Sequence, residues 1–168
     1  MSQAPQVNGI PPTVRPAPSL YSEAVRYVSN GLVVLPVAYF NDDYRTNVPW
    51  KDRTETTQAE LETWFATGAY TGMALRTGSR FGFFVLDIDV KNENGFASLA
   101  EYGIDPWTLS PTMAQTPSGG LHVYFQTDKS IANKTGWLPG VDIRGDGGLI
   151  YAPPSVRKDG IYSWVSSC

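Results

Sequence analysis

Short apolar runs alternate with polar or Gly/Pro-rich breaks along the chain, and the spacing inside each run separates helix from strand. Leu20, Ala24, Tyr27 and Val28 recur at helical intervals behind Ser19, a candidate N-cap, and Asn30-Gly31 supplies a stop, so a helix is predicted there. A strand follows at Leu32-Val33-Val34-Leu35. After a polar loop from Asn41-Asp42-Asp43 to Trp50, Thr57-Gln58-Ala59-Glu60 has capping-box spacing and opens a second helix, buried through Leu61, Trp64 and Phe65. Helix, strand and helix make an N-terminal α/β unit.

Beyond it strands dominate. They are predicted at 73–76, 83–89, 112–115, 121–126, 141–144 and 149–152, separated by Gly, Pro and Ser turns and by one short helix near Phe96–Tyr102. Tyr162 and Trp164 suggest a last edge strand. Residues 1–18, with prolines at 5, 11, 12, 16 and 18, read as a flexible lead, and 19–168 as one folded domain at the front of a longer polypeptide.

Strand periodicity places the polar groups. In Phe83–Val90 one face carries Phe84, Leu86, Ile88 and Val90, while Asp87 and Asp89 emerge together from the other at the strand end. Their Cα atoms are then roughly 6.5–7 Å apart, twice the strand rise. In Gly120–Phe125, Leu121, Val123 and Phe125 share a face, which sends His122 to the opposite one. Asp142 and Arg144 likewise oppose Val141 and Ile143. One sheet, covered by helices on its apolar side and open to a cleft on the other, satisfies all three patterns.

Composition narrows the chemistry. The chain has 168 residues, 13 basic and 16 acidic groups, a net charge of −3, one histidine and one cysteine. One Cys and one His exclude an internal disulfide and a Cys/His zinc site. No apolar run approaches the roughly 20 residues of a membrane helix and no signal peptide opens the chain, so a cytoplasmic protein without membrane contact is expected. Mild acidity argues against indiscriminate nucleic-acid binding. Three carboxylates form an oxygen-ligand set suited to Mg²⁺ or Mn²⁺, with two ions expected. The turn Thr116-Pro117-Ser118-Gly119-Gly120 offers N–H groups and a hydroxyl for phosphate oxygens, and His122 and Arg144 are natural phosphate partners. That inventory suits two-metal phosphoryl transfer.

Taken singly, each piece has a plain structural reading. Asp-x-Asp is most often a solvated turn, a lone strand histidine is usually structural, Ser-Gly-Gly is commonly a hairpin, and Asp142-Ile143-Arg144 reads as a surface ion pair. Gly145-Asp146-Gly147-Gly148 reads as a hairpin turn rather than a ligand loop. Their order is what discriminates.

That order is Leu-Asp-Ile-Asp, then Thr-Pro-Ser-Gly-Gly-Leu-His-Val-Tyr-Phe, then Val-Asp-Ile-Arg-Gly and Ala-Pro-Pro-Ser. It resembles the bifunctional primase-polymerase domain of phage and plasmid replication proteins, in the archaeo-eukaryotic primase superfamily. The resemblance runs from about Gly31 to Trp164, including Arg76-Thr77-Gly78 and Gly160-Ile161-Tyr162-Ser163-Trp164. It implies an α/β (α+β) fold with an RRM-like, mostly antiparallel catalytic sheet joined to the N-terminal unit, and a DNA primase and DNA polymerase. By that resemblance Asp87, Asp89 and Asp142 hold the metals and His122 contacts the nucleotide phosphates. Ser118, Gly119 and Arg144 line the same pocket, and Arg76 and Ser155 are further nucleotide contacts. Implied partners are a single-stranded or primed DNA template, an NTP or dNTP, and a fused or associated replicative helicase.

Two departures stand out. The superfamily often has Ser-x-His where this chain has Gly120-Leu121-His122, and Lys-x-Pro where it has Asn47-Val48-Pro49, with Lys51 nearby. Two other function classes fit the residues less well. A nucleotide-sugar transferase using Asp-x-Asp with Mn²⁺ leaves the His122 and Asp142 strands unexplained. A non-catalytic RRM-like nucleic-acid-binding module would display aromatics where this sheet displays carboxylates.

Overall fold

The computed structural model describes residues 19–166. The predicted lead over 1–18 lies outside the described residues. Helix α1 (Leu20–Ser29) starts where Ser19 Oγ accepts the Ser22 N–H, and its period turns Ala24 and Tyr27 inward. Strands β1 (Val34–Phe40) and β2 (Asp43–Arg45) follow, then α2 (Gln58–Phe65), which opens with the complete Thr57/Glu60 capping box. The chain continues through β3 (Gly72–Arg76), β4 (Phe83–Ile88), α3 (Gly95–Ala100), β5 (Met113–Gln115) and β6 (Leu121–Gln126). It ends with β7 (Lys134–Leu138), β8 (Val141–Arg144), β9 (Leu149–Ala152), β10 (Val156–Arg157), β11 (Gly160–Ile161) and β12 (Ser163–Trp164).

The fold is α+β, and every strand pairs antiparallel with its neighbours. A four-stranded sheet has the order β2-β1-β3-β9, a six-stranded sheet the order β12-β5-β6-β4-β8-β7, and β10-β11 is a separate hairpin. The edge strand expected from Trp164 is present as β12.

Two sequence expectations change, and two strands that the pattern left without partners find them. The segments at 73–76 and 149–152 do not join the sheet that carries the acids: β3 sits between β1 and β9, and all of its residues are buried. A strand buried on both faces has no alternation to reveal its partner. In consequence Gly145-Asp146-Gly147-Gly148 is a crossover between sheets rather than a hairpin, and the Asp146 carboxylate anchors it by accepting from the Ser79 N–H and the Ser79 and Ser130 hydroxyls. The first strand runs on to Phe40, and the polar loop expected from Asn41 to Trp50 is cut short at its start by β2, which folds back on β1.

The sheets share a core. Val34, Met73, Leu75, Ile150 and Ala152 pack with Ala24, Tyr27, Leu61 and Trp64 of the helices and with Val85, Ala114 and Tyr124 of the larger sheet. On the opposite face of the larger sheet, Leu86, Ile88, Leu121, Val123 and Val141 are covered by Leu99 and Phe96 of α3. Each such fully buried side chain contributes about 1.5–3 kcal/mol. The polar face is therefore only partly open. Its Val85 and Tyr124 level is sealed into the shared core, and only the level of Asp87 and His122, at the end of β4, borders a cleft.

The turn leading into β6 explains one sequence departure. A Cβ at Gly120 would sit 2.3 Å from the Ile88 carbonyl oxygen and 2.9 Å from Thr116 Oγ1. No serine fits two places before His122 on this backbone, and Ser118 occupies the turn instead.

Candidate active site

Strand register builds the site. On β4, Asp87 lies directly opposite His122 of β6 on one side and Asp142 of β8 on the other. Directly opposed residues have Cβ atoms about 4.5–5.5 Å apart, so the three side chains form one row across the sheet. His122 Nε2 is 3.3 Å from Asp87 Oδ1. Arg144, two residues further along β8 on the same face, donates from Nε and Nη2 to Asp87 Oδ2 at 3.2 and 3.1 Å, and from Nη2 to Asp142 Oδ2 at 2.7 Å. The pair that looked like a surface ion pair is thus a guanidinium bridging two carboxylates. Asp142 Oδ1 also accepts the Gly136 N–H at 2.7 Å.

His122 is 3% exposed, and its ring lies 5.6 Å from that of Tyr162. Its Nδ1 is buried without a protein partner. Burial pushes the Asp87 carboxyl up, but the hydrogen bond from His122 and the charges of His122 and Arg144 outweigh it and hold the group below the usual carboxylate range.

Asp89 stands just past the end of β4, where its Oδ1 accepts the N–H groups of Val90 at 2.7 Å and Lys91 at 3.0 Å. Asp87, Asp89, Asp142 and Arg144 line one cleft of about 230 Å³, with Glu93 at its edge. Among the described residues, no three His, Cys, Asp or Glu side chains stand ready to hold a metal ion. The guanidinium fills the space between Asp87 and Asp142, and Asp89 is engaged by its own loop.

A larger cleft, about 350 Å³, also borders Asp87 and Asp89 and is lined by His122, Arg144, Thr116 and Ser118. Periodicity missed four of its other residues: Trp50, Lys91, Arg157 and Tyr162. Lys91 follows Asp89 by two places and Tyr162 lies in the closing Gly-Ile-Tyr-Ser-Trp run, so both had a local signal; Arg157 had none.

Three expected nucleotide contacts stand elsewhere. Gly119 does not line the cleft, and its N–H donates to the Thr116 carbonyl while the Gly120 N–H donates to Thr116 Oγ1. The turn therefore presents hydroxyls, Thr116 Oγ1 and Ser118 Oγ 3.2 Å apart, rather than a cradle of those two amides. Arg76 is 6% exposed, donates to the Arg53 carbonyl at 2.6 Å, and lies between the rings of Trp50 and Phe81 in a neighbouring pocket with Lys51 and Arg80. Ser155 is wholly buried: its Oγ accepts the Met73 N–H at 2.8 Å and is 3.0 Å from the Met73 carbonyl, fastening β3 to the segment after β9. Its hydroxyl is a structural clasp.

Fold and site together define an antiparallel α+β protein with an acid-histidine-arginine row at the open end of its larger sheet. The model of the bifunctional DNA primase/polymerase N-terminal family, Prim-Pol, matches residues 24–168, and the chain belongs to that family. No curated protein matches the sequence. Among the described residues, no helix is long and apolar enough to cross a membrane.

Proposed function

We propose that the protein is a template-directed nucleotidyltransferase that extends a primer on DNA in phage or plasmid replication, alongside a fused or associated helicase. The observation that carries this reading is the single row His122, Asp87, Asp142 with Arg144 bridging its two acids. A 3′-hydroxyl gives up its proton to water as its oxygen attacks the α-phosphorus of an NTP or dNTP and forms the new P–O bond. The bond to the β-phosphate breaks and pyrophosphate leaves.

The donor set fits Mg²⁺ or Mn²⁺, because Asp87, Asp89 and Asp142 offer only hard oxygen ligands around one cleft. Bound there, two such ions supply charge neutralisation at the phosphates and activation of the attacking hydroxyl. The chain's own residues do the rest. Arg144 leaves its bridge between the two acids and turns its donors onto a phosphate, a geometry for which guanidinium is well formed. His122 holds Asp87 in place through Nε2 and borders the phosphates, and the Thr116 and Ser118 hydroxyls donate to phosphate oxygens.

The test is extension of a labelled primer on a longer DNA template with nucleotides and Mn²⁺ or Mg²⁺. Wild type should extend it and Asp87→Ala should not. Equal extension by Asp87→Ala would refute the assignment of the site.

A further inference from the structure

We propose that Lys91 and Arg157 form a second cationic place in the larger cleft, which receives the pyrophosphate end of the nucleoside triphosphate. The inference rests on the nucleotidyltransferase reading and adds a ligand subsite to it.

The two residues reach one cleft from distant parts of the chain. Lys91 lies in the loop that leaves β4, two places after Asp89, while Arg157 ends β10. Asp159, in the turn between β10 and β11, joins them: its Oδ2 is 3.3 Å from Lys91 Nζ and its Oδ1 is 3.1 Å from Arg157 Nε. Asp159 does not itself line the cleft, whereas both cations do. One carboxylate thus ties two cations at the rim and leaves an excess positive charge facing inward. An ammonium has three donors and a guanidinium five, more than Asp159 and Tyr162 take up, so donors remain for phosphate oxygens.

Arg157 is also coupled to the acid row. Its Nη1 lies 3.4 Å from the Tyr162 hydroxyl, and the Tyr162 ring packs against His122. Burial works against the charge on Arg157, but Tyr162 and Asp159 favour it more strongly and raise its pKa above the usual arginine value.

Charge balance shows why such a place is needed. Arg144 has one guanidinium to turn from its two carboxylates to a phosphate, and any divalent ions held by Asp87, Asp89 and Asp142 are shared with those acids. A triphosphate that is losing pyrophosphate develops charge on the departing group, beyond the acid row, where further cations stabilise it. The cleft volume of about 350 Å³ is near the lower limit of ligand pockets, roughly 300–1,000 Å³. It holds phosphates and sugar and leaves the base outside, free to pair with a template.

The test is binding in the presence of Mn²⁺, comparing a nucleoside triphosphate, the matching monophosphate and inorganic pyrophosphate. Lys91→Met and Arg157→Met should each weaken triphosphate and pyrophosphate binding about tenfold or more, and leave the monophosphate unchanged. Arg157→Lys, which keeps the charge, should fall between wild type and Arg157→Met. Should Arg157→Met fail to fold, Lys91→Met decides, because that side chain is 43% exposed and carries no core packing. Triphosphate affinity within twofold of wild type in Lys91→Met, or equal loss of monophosphate binding, overturns the inference. A wild-type protein that binds no triphosphate overturns the nucleotidyltransferase reading itself, and this inference with it.

Discussion

Replacing Arg144 by Met removes the cation between two carboxylates while keeping most of the side-chain length. Two oxygens held 3.1 and 2.7 Å from one nitrogen lie no farther apart than about 6 Å, and at that spacing an effective dielectric of about 20 gives a repulsion of roughly 3 kcal/mol. The three side chains are 20–29% exposed, so water and salt reduce this, and a loss of about 2 kcal/mol is expected. For a domain of this size that lowers Tm by about 4–8 °C. The informative measurement is thermal melting of both proteins in a chelator and in Mn²⁺. In chelator the variant should melt lower. With Mn²⁺ it should recover most of the difference and gain more than wild type, since the ion no longer competes with the guanidinium and stabilises by mass action. Primer extension should nonetheless stay low, because the phosphate partner is gone. Equal melting of the two proteins in chelator, or a Mn²⁺ shift no larger in the variant, would refute the idea that Arg144 stands in the cation's place.

Other substitutions test separate links. The Asp87 carboxyl is held below its ordinary value, so its stabilising effect is present above the unfolded-state value of about 3.9 and disappears as pH falls through the lower folded-state value; urea unfolding of wild type against Asp87→Asn should differ in that acid limb, and parallel curves would contradict it. Gly120→Ala places a methyl 2.3 Å from the Ile88 carbonyl and should cost at least about 1–3 kcal/mol by denaturant unfolding; an unchanged midpoint would show that the turn can move. Ser155→Ala removes the acceptor of the buried Met73 N–H and should cost about 1–3 kcal/mol while nucleotide affinity stays at the wild-type level. Weakened nucleotide binding in a folded Ser155→Ala protein would return that residue to the site.

The row of catalytic-type groups was legible because its members sit inside regular strands. Alternation decides which face Asp87, His122, Asp142 and Arg144 take, and the apolar partners Leu86, Val123 and Ile143 leave little freedom in register. Asp89 was harder. The strand ends at Ile88, so its side chain obeys the following turn rather than the pleat. Strand partnership was not legible for β3 and β9, whose fully or largely apolar runs carry no mark of the sheet they enter. Arg76 and Ser155 show a different failure. Each lies beside a recognisable motif, yet their functional groups are engaged by the Arg53 carbonyl and by β3. Lys91 and Arg157 meet only through the tertiary placement of the β10–β11 turn, which no local spacing encodes.

The N-terminal unit is consequently part of the site rather than an attachment to it. Tyr124, on the same face of β6 as His122 and with its ring 6.4 Å away, belongs to the core shared with Tyr27, Leu75 and Ile150. That core closes the polar face below the acid row. Above it, Trp50 from the N-terminal unit and Leu149 to Tyr151 of β9 form part of the cleft wall facing Asp87. The cleft exists because two sheets that share a core also leave a gap at the end of β4. A six-stranded sheet isolated from β1, β3 and β9 would expose Val85, Ala114 and Tyr124 and lose that wall, so the acids would remain in register on an open surface with nothing to exclude water from a bound triphosphate.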